Sequence, residues 1–173
     1  MSEPTTVSIP PAGTYKLDPA TSSVSFATRH MFGLGAVKGS FTILSGEITI
    51  ADPVTSSTAT AVIDAASFAT GSAARDKDVK SANFLHVAEH PEITFHSTEL
   101  EESGEGWLLR GQIIARGHAA RANVVLTEVE ADANGLTIRA TCRVDRYDHG
   151  ITKKKGMAGR FLDLQIAAHA VRV

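Results

Sequence analysis

The chain has little of what usually announces a function. One of its 173 residues is cysteine, Cys142, so no internal disulfide can form. Cys142 falls on the apolar side of a strand pattern and reads as a small buried hydrophobe, not a redox centre. Net charge is −2, with no broad basic field, which argues against nucleic acid as a partner and against a general attraction to anionic membranes. No apolar run approaches the roughly 18–20 residues that a membrane-spanning helix needs. The opening Met1-Ser2-Glu3-Pro4-Thr5-Thr6-Val7 lacks the positive start and apolar run of a secretory signal, so a cytoplasmic location is expected of the chain as it stands. There is no nucleophile elbow, phosphate loop or HExxH motif. His86 and His90 have the spacing of two metal ligands on one helix face, but Pro91 disfavours helix at His90. Solvated or capping histidines are expected there, with no metal and no cofactor.

What the chain does have is alternation. Trp107, Leu109, Gly111, Ile113 and Ala115 alternate with Leu108, Arg110, Gln112 and Ile114, and Leu136, Ile138, Ala140, Cys142 and Val144 alternate with Thr137, Arg139, Thr141 and Arg143. A period of two marks strands with one buried face. Such strands are predicted at Ser22 to His30, Val37 to Ile50, Ser57 to Ala65, Glu92 to Leu100, Gly106 to Arg116, Arg121 to Glu130, Gly135 to Val144 and Arg160 to Val173. Turn chemistry separates several of them, at Asp52-Pro53, Glu102-Ser103-Gly104, Gly117-His118 and Asn134-Gly135. Ser45-Gly46 shifts the alternation inside its strand and predicts a bulge, whereas Arg121 to Glu130 alternates too weakly to assign inward positions. One helix is predicted, Ala74 to Phe84, lying across one end of the sheet.

About eight antiparallel strands joined by short turns predict an all-β closed barrel, which removes exposed strand edges. Residues 1–12, rich in Pro, Ser and Thr, are expected to form a flexible tail and residues 13–173 a single barrel domain. The inward positions expected to touch a guest are Val24, Phe26, Phe41, Ile43, Ala61, Ile63, Phe95, Gly111, Ile113, Ile138, Ala140, Leu164 and Ile166. They belong to a larger inward set in which nearly half the residues are small. Small residues can taper a filled barrel or leave space inside one; the pattern favours a cavity, and an elongated apolar cavity suits a linear hydrocarbon. The last strand, of about 13 residues, would give a barrel about 30 Å tall at a tilt near 40°.

Specific strings add to this. Gly13-Thr14-Tyr15-Lys16-Leu17-Asp18-Pro19, Phe26 with His30, Gly39-Ser40-Phe41, Thr70-Gly71 with Arg75-Asp76, Ser81-Ala82-Asn83-Phe84, His90-Pro91-Glu92-Ile93-Thr94-Phe95-His96-Ser97-Thr98 and Asp145-Arg146-Tyr147-Asp148-His149-Gly150-Ile151 occur in family order. From residue 13 onward the chain resembles the YceI-like family of lipocalin-like polyisoprenoid-binding proteins. The resemblance implies an extended eight-stranded lipocalin-like barrel with a short capping helix. Its lumen would hold a long-chain isoprenoid lipid of the polyprenyl quinone or polyprenyl phosphate type, for carriage, storage or sequestration and without catalysis. The chain departs from the family at Thr21-Ser22, where His-Ser is usual, and at Leu85-His86, where Asp is usual.

Two other functions stay open on sequence. One is an enzyme acting on an isoprenoid substrate through acid and base groups from Asp145 to His149; a brace of the strand end by Asp145, Arg146 and Asp148 is the simpler reading of those residues. The other is a solid barrel acting as an interaction module. Lys153-Lys154-Lys155 reads as an exposed basic loop able to touch a membrane surface transiently, and His30, Met31 and Phe32 as mouth residues. A homodimer is compatible with the sequence.

Overall fold

The computed structural model describes residues 6–30, 33–104 and 106–173; Met31 and Phe32, expected at the mouth, lie outside them, as does the side chain of His30. The described chain is mostly sheet. Its strands are β1 (Thr6–Val7), β2 (Gly13–Leu17), β3 (Ser23–His30), β4 (Gly35–Ile50), β5 (Thr58–Ala69), β6 (Glu92–Ser103), β7 (Gly106–Ala115), β8 (His118–Asp132), β9 (Gly135–Asp145) and β10 (Phe161–Arg172).

Eight of the positions close into an antiparallel barrel, because β2 and β3 together make one of them. Both lie between β4 and β10, β2 pairing with Glu47–Ile50 and Ala170–Arg172, β3 with Gly35–Phe41 and Asp163–Ala167. The interruption between them is chemical. Pro19 has no N–H to give a ladder, and the Asp18 carboxylate accepts a hydrogen bond from the Ala20 N–H at 3.0 Å, turning the chain locally. The remaining staves follow in order from β4 to β10, and β10 closes on β2 and β3. β1 is extra, running parallel to β8 at Glu128 and Val129.

Four register shifts interrupt the ladders and explain where simple alternation fails; besides one at Ser40/Thr42 between β4 and β5, three others stand out. Between β4 and β5 the shift at Ile43/Ser45 is the bulge expected at Ser45-Gly46, and it turns Leu44 outward. A second lies at Ser97/Glu99 in β6. The third, at Leu126/Glu128, moves the inward set of β8 from Ala122, Val124 and Leu126 to Val129, which is why that strand resists a period-two reading.

The helix α1 (Ala73–Lys80) is shorter than expected. Ser72 caps it by accepting from the Arg75 N–H, and Asp76 anchors it to the end of β5 by accepting from the Thr70 N–H at 3.0 Å and its hydroxyl at 2.6 Å. The helix ends at Ser81, so Phe84 enters the core from the following turns and not from a helix face. There Phe26, Phe68, Phe84, Leu85 and Ile151 form a plug that fills one end of the barrel. Residues 6–12, expected as part of a flexible tail, are placed against the opposite end: the Ser8 N–H and hydroxyl both donate to the Val129 carbonyl, and Pro10 is buried.

Candidate ligand-binding lumen

Below the aromatic plug the barrel is hollow. A cavity of about 280 Å³ runs from Leu85, Ile151 and Leu162 at the capped end to Ile50, Val54 and Trp107 at the other, where Val7 to Pro10 complete its wall. On β7 its lining extends from Trp107 to Ala115, about 26 Å along the strand and about 20 Å along the axis after tilt. That volume drawn out over that length is a tube one chain wide. The lining is almost wholly aliphatic and aromatic, so the tube offers an apolar guest burial and very little hydrogen bonding. A barrel filled solid by its own side chains is therefore not what the sequence encodes.

Eleven of the thirteen positions expected to touch a guest line this tube: Val24, Phe41, Ile43, Ala61, Ile63, Phe95, Ile113, Ile138, Ala140, Leu164 and Ile166. Two do not. Phe26 faces inward at the level of the plug, stacked on Phe68 at 5.2 Å between centroids, and closes the tube instead of lining it. Gly111 also faces inward, but the Phe95 ring lies on it; a Cβ there would meet that ring at 2.6 Å and would collide with the His96 carbonyl. Its smallness seats an aromatic side chain and leaves no void. Several further residues line it: Leu100 follows the bulge in β6, Leu126 lies just before the one in β8, Trp107 and Leu109 alternate correctly, and Val7 to Pro10 belong to the segment expected to form a flexible tail.

The two ionisable lining residues Arg146 and His149 lie at the capped end, on the short 3-10 turn Arg146–His149 that follows β9, whereas Ser8, Ser57 and Thr58 line the opposite end. Arg146 and His149 are 6% and 3% exposed, and both line the lumen. The Arg146 guanidinium donates to the carbonyls of Ile151 at 2.8 Å, Gly159 at 2.8 Å and Ala158 at 3.3 Å, tying the 150–160 loop to the barrel. Burial lowers its pKa, since desolvation penalises the charged form. Its neighbour Asp145 is committed elsewhere: Arg160 donates to both carboxylate oxygens, at 2.8–3.1 Å, and holds that carboxyl below the usual range. Burial likewise pushes the Cys142 thiol up to about 11, as a low-dielectric lumen wall would.

The pattern that describes the YceI-like domain matches residues 15–170. The chain belongs to the YceI-like family. Among its relatives are a UPF0312 protein of Pectobacterium carotovorum subsp. carotovorum, 30% identical over 164 residues (86% of this chain and 80% of that one), and a UPF0312 protein of Yersinia pestis, 28% identical over 170 residues (94% and 88%). Among solved structures it is similar in fold to Burkholderia cenocepacia BcnA, with a TM-score of 0.78 at 19% identity over 88% of this chain and 98% of that one. It is also similar to a polyisoprenoid binding domain from Saccharophagus degradans, with a TM-score of 0.64 at 15% identity, covering 92% and 98%.

The remaining charged groups of this YceI-like barrel lie on its surface. Lys153, Lys154 and Lys155 are exposed; Lys154 pairs with Asp78 of α1 at 2.7 Å, and Lys155 sits 5.2 Å from the Tyr147 ring centre. Arg75 donates to the Thr70 hydroxyl at 3.3 Å, which braces the helix start. His86 and His90 do come together, with ring centres 5.8 Å apart and Glu89 beside them, through a turn in which His86 adopts φ 53° and not through a helix. No helix among the described residues is long and apolar enough to cross a membrane.

Proposed function

We propose that this protein binds a long-chain polyisoprenoid lipid in its lumen and serves as a non-catalytic carrier, store or sequestering protein for it. One observation carries the reading: an apolar tube continuous along the barrel, one chain wide and about 20 Å long. Each methylene buried in it contributes about 0.8 kcal/mol, against an association cost of about 4–15 kcal/mol, so a chain of some twenty carbons binds firmly where a short one does not. A fold shared with a solved polyisoprenoid binding domain supports the isoprenoid over other linear hydrocarbons. The enzymatic alternative finds less support, because the Asp145 carboxylate is engaged by Arg160 and the His149 Nδ1 by a backbone carbonyl.

Native mass spectrometry of the purified protein, with organic extraction of what it retains, tests this directly. The expected result is a prenyl lipid at up to one per chain, and uptake of added polyprenyl quinone after delipidation. Protein that neither retains a lipid nor takes up the added one overturns the proposal.

A further inference from the structure

The barrel is unzipped along one seam. Strands β8 and β9 pair from Asp132↔Gly135 up to Val125↔Thr141 and no further. Beyond that, His118–Val124 of β8 pair only with β7, and Cys142–Asp145 of β9 only with β10. The turn after β9 spans the gap instead, with the His149 Nδ1 2.8 Å from the His118 carbonyl. At the gap lies a second pocket of mixed polar and apolar lining, in which Arg121, Arg143, Asp145, Asp148 and His149 meet Ala120, Phe161 and lumen residues. Ile113, Val144 and His149 line both this pocket and the lumen, so the two spaces adjoin at these side chains near the capped end.

The chemistry at that junction is specific. A carbonyl can only accept, so Nδ1 of His149 carries the proton and Nε2 of the neutral ring is an acceptor. No group among the described residues donates to Nε2, in a side chain 3% exposed. On the rim, Arg143 pairs with Asp163 and Asp145 with Arg160. Arg121 and Asp148 make no ion pair among the described residues, and their charges cancel. A phosphate entering the recess would gain Arg121 but meet the Asp148 carboxylate and the Nε2 lone pair. A hydroxyl can donate to Nε2 and accept from Arg121 at no cost in charge.

We infer that the recess between β8 and β9 holds the head group of the lipid and selects an uncharged hydroxyl, a prenyl alcohol, over the corresponding phosphate. The inference rests on the lumen binding proposed above and adds the position and polarity of the head group. It is tested on the full delipidated chain at pH 8 with three probes: geranylgeraniol, geranylgeranyl monophosphate and squalene, which has no head group. The alcohol binds about tenfold or more tightly than the monophosphate. His149→Asn keeps a donor toward the His118 carbonyl but loses the Nε2 acceptor; it lowers the alcohol-to-squalene affinity ratio about tenfold, one charge-free hydrogen bond's worth. Arg121→Gln, an exposed position on the rim, removes the second contact to the hydroxyl and lowers the alcohol-to-squalene ratio in the same direction. If alcohol and phosphate bind alike, or if neither variant changes the alcohol-to-squalene ratio, the head group sits elsewhere and the inference falls. If wild-type protein binds none of the three, it is the lumen proposal that fails, and this inference with it.

Discussion

Val24 and Phe26 are two residues apart on β3 and face the same way, yet one lines an empty tube and the other helps to seal it. On β5, Ala61 lines the tube and Phe68 belongs to the plug, the register shift at Ser40/Thr42 having exchanged the inward parity between them. At the plug, the Phe26, Phe41 and Phe68 rings lie 5.2–5.7 Å apart and reach across the barrel, giving a dense core at that level. In the tube, Ala61, Ala140 and Ala168 stop short of the axis and nothing spans it. Side-chain length among the inward positions therefore divides the interior into a part that packs the fold and a part that leaves space for a guest.

The largest effect that sharpens this division is expected at the plug. Phe68→Ala removes a ring that is 6% exposed and should cost about 3–5 kcal/mol of stability, read by denaturant unfolding. A loss under about 1 kcal/mol would mean that the plug does not carry the core. Arg146→Met should cost less, about 1–3 kcal/mol, by leaving the carbonyls of Ile151, Ala158 and Gly159 without their donor. Faster proteolysis between residues 150 and 160 is the accompanying readout; a loop as resistant as in wild type would show that Arg146 does not hold it.

In the tube the expected pattern reverses. Ala140→Phe fills existing space, so stability should change by less than about 1 kcal/mol while lipid affinity falls at least tenfold. A variant that binds lipid like wild type would place the guest outside the lumen. Gly111 is not an equivalent position: a larger side chain there collides with Phe95 and with the backbone, so it would report misfolding and not a blocked tube.

Parity and composition were enough to reach the closed barrel, the bulge at Ser45-Gly46 and most of the lumen wall, because a half-buried strand cannot hide its period. They could not give depth along the axis, which is why Phe26 looked like wall. Nor could they see the shift at Leu126/Glu128, since a bulge is set by pairing with β9 and leaves only a blurred pattern in β8 itself. The short strand β2 was missed because Asp18-Pro19 makes one barrel position out of two pieces. His149 was legible as a polar residue in a turn, but its burial depends on where β8 stops pairing with β9, a contact between residues some thirty apart in sequence.

The smallest effect concerns the strand end that leads into the recess. Asp145 is held below the ordinary carboxylate range chiefly by its hydrogen bonds from Arg160, so the folded state binds its proton less readily than the unfolded chain does. The stabilisation is therefore present at neutral pH, above the unfolded value of about 3.9, and is lost as pH falls through the lower folded value. Because Arg160 is exposed, solvent screens the pair and its contribution is small. Asp145→Asn should accordingly be slightly less stable than wild type at pH 7 and equal to it in strong acid. Parallel urea titrations across that range decide it: a gap that persists unchanged into acid would assign the effect of Asp145 to its hydrogen bond with the Tyr147 N–H, which an asparagine retains poorly, and not to the ion pair with Arg160.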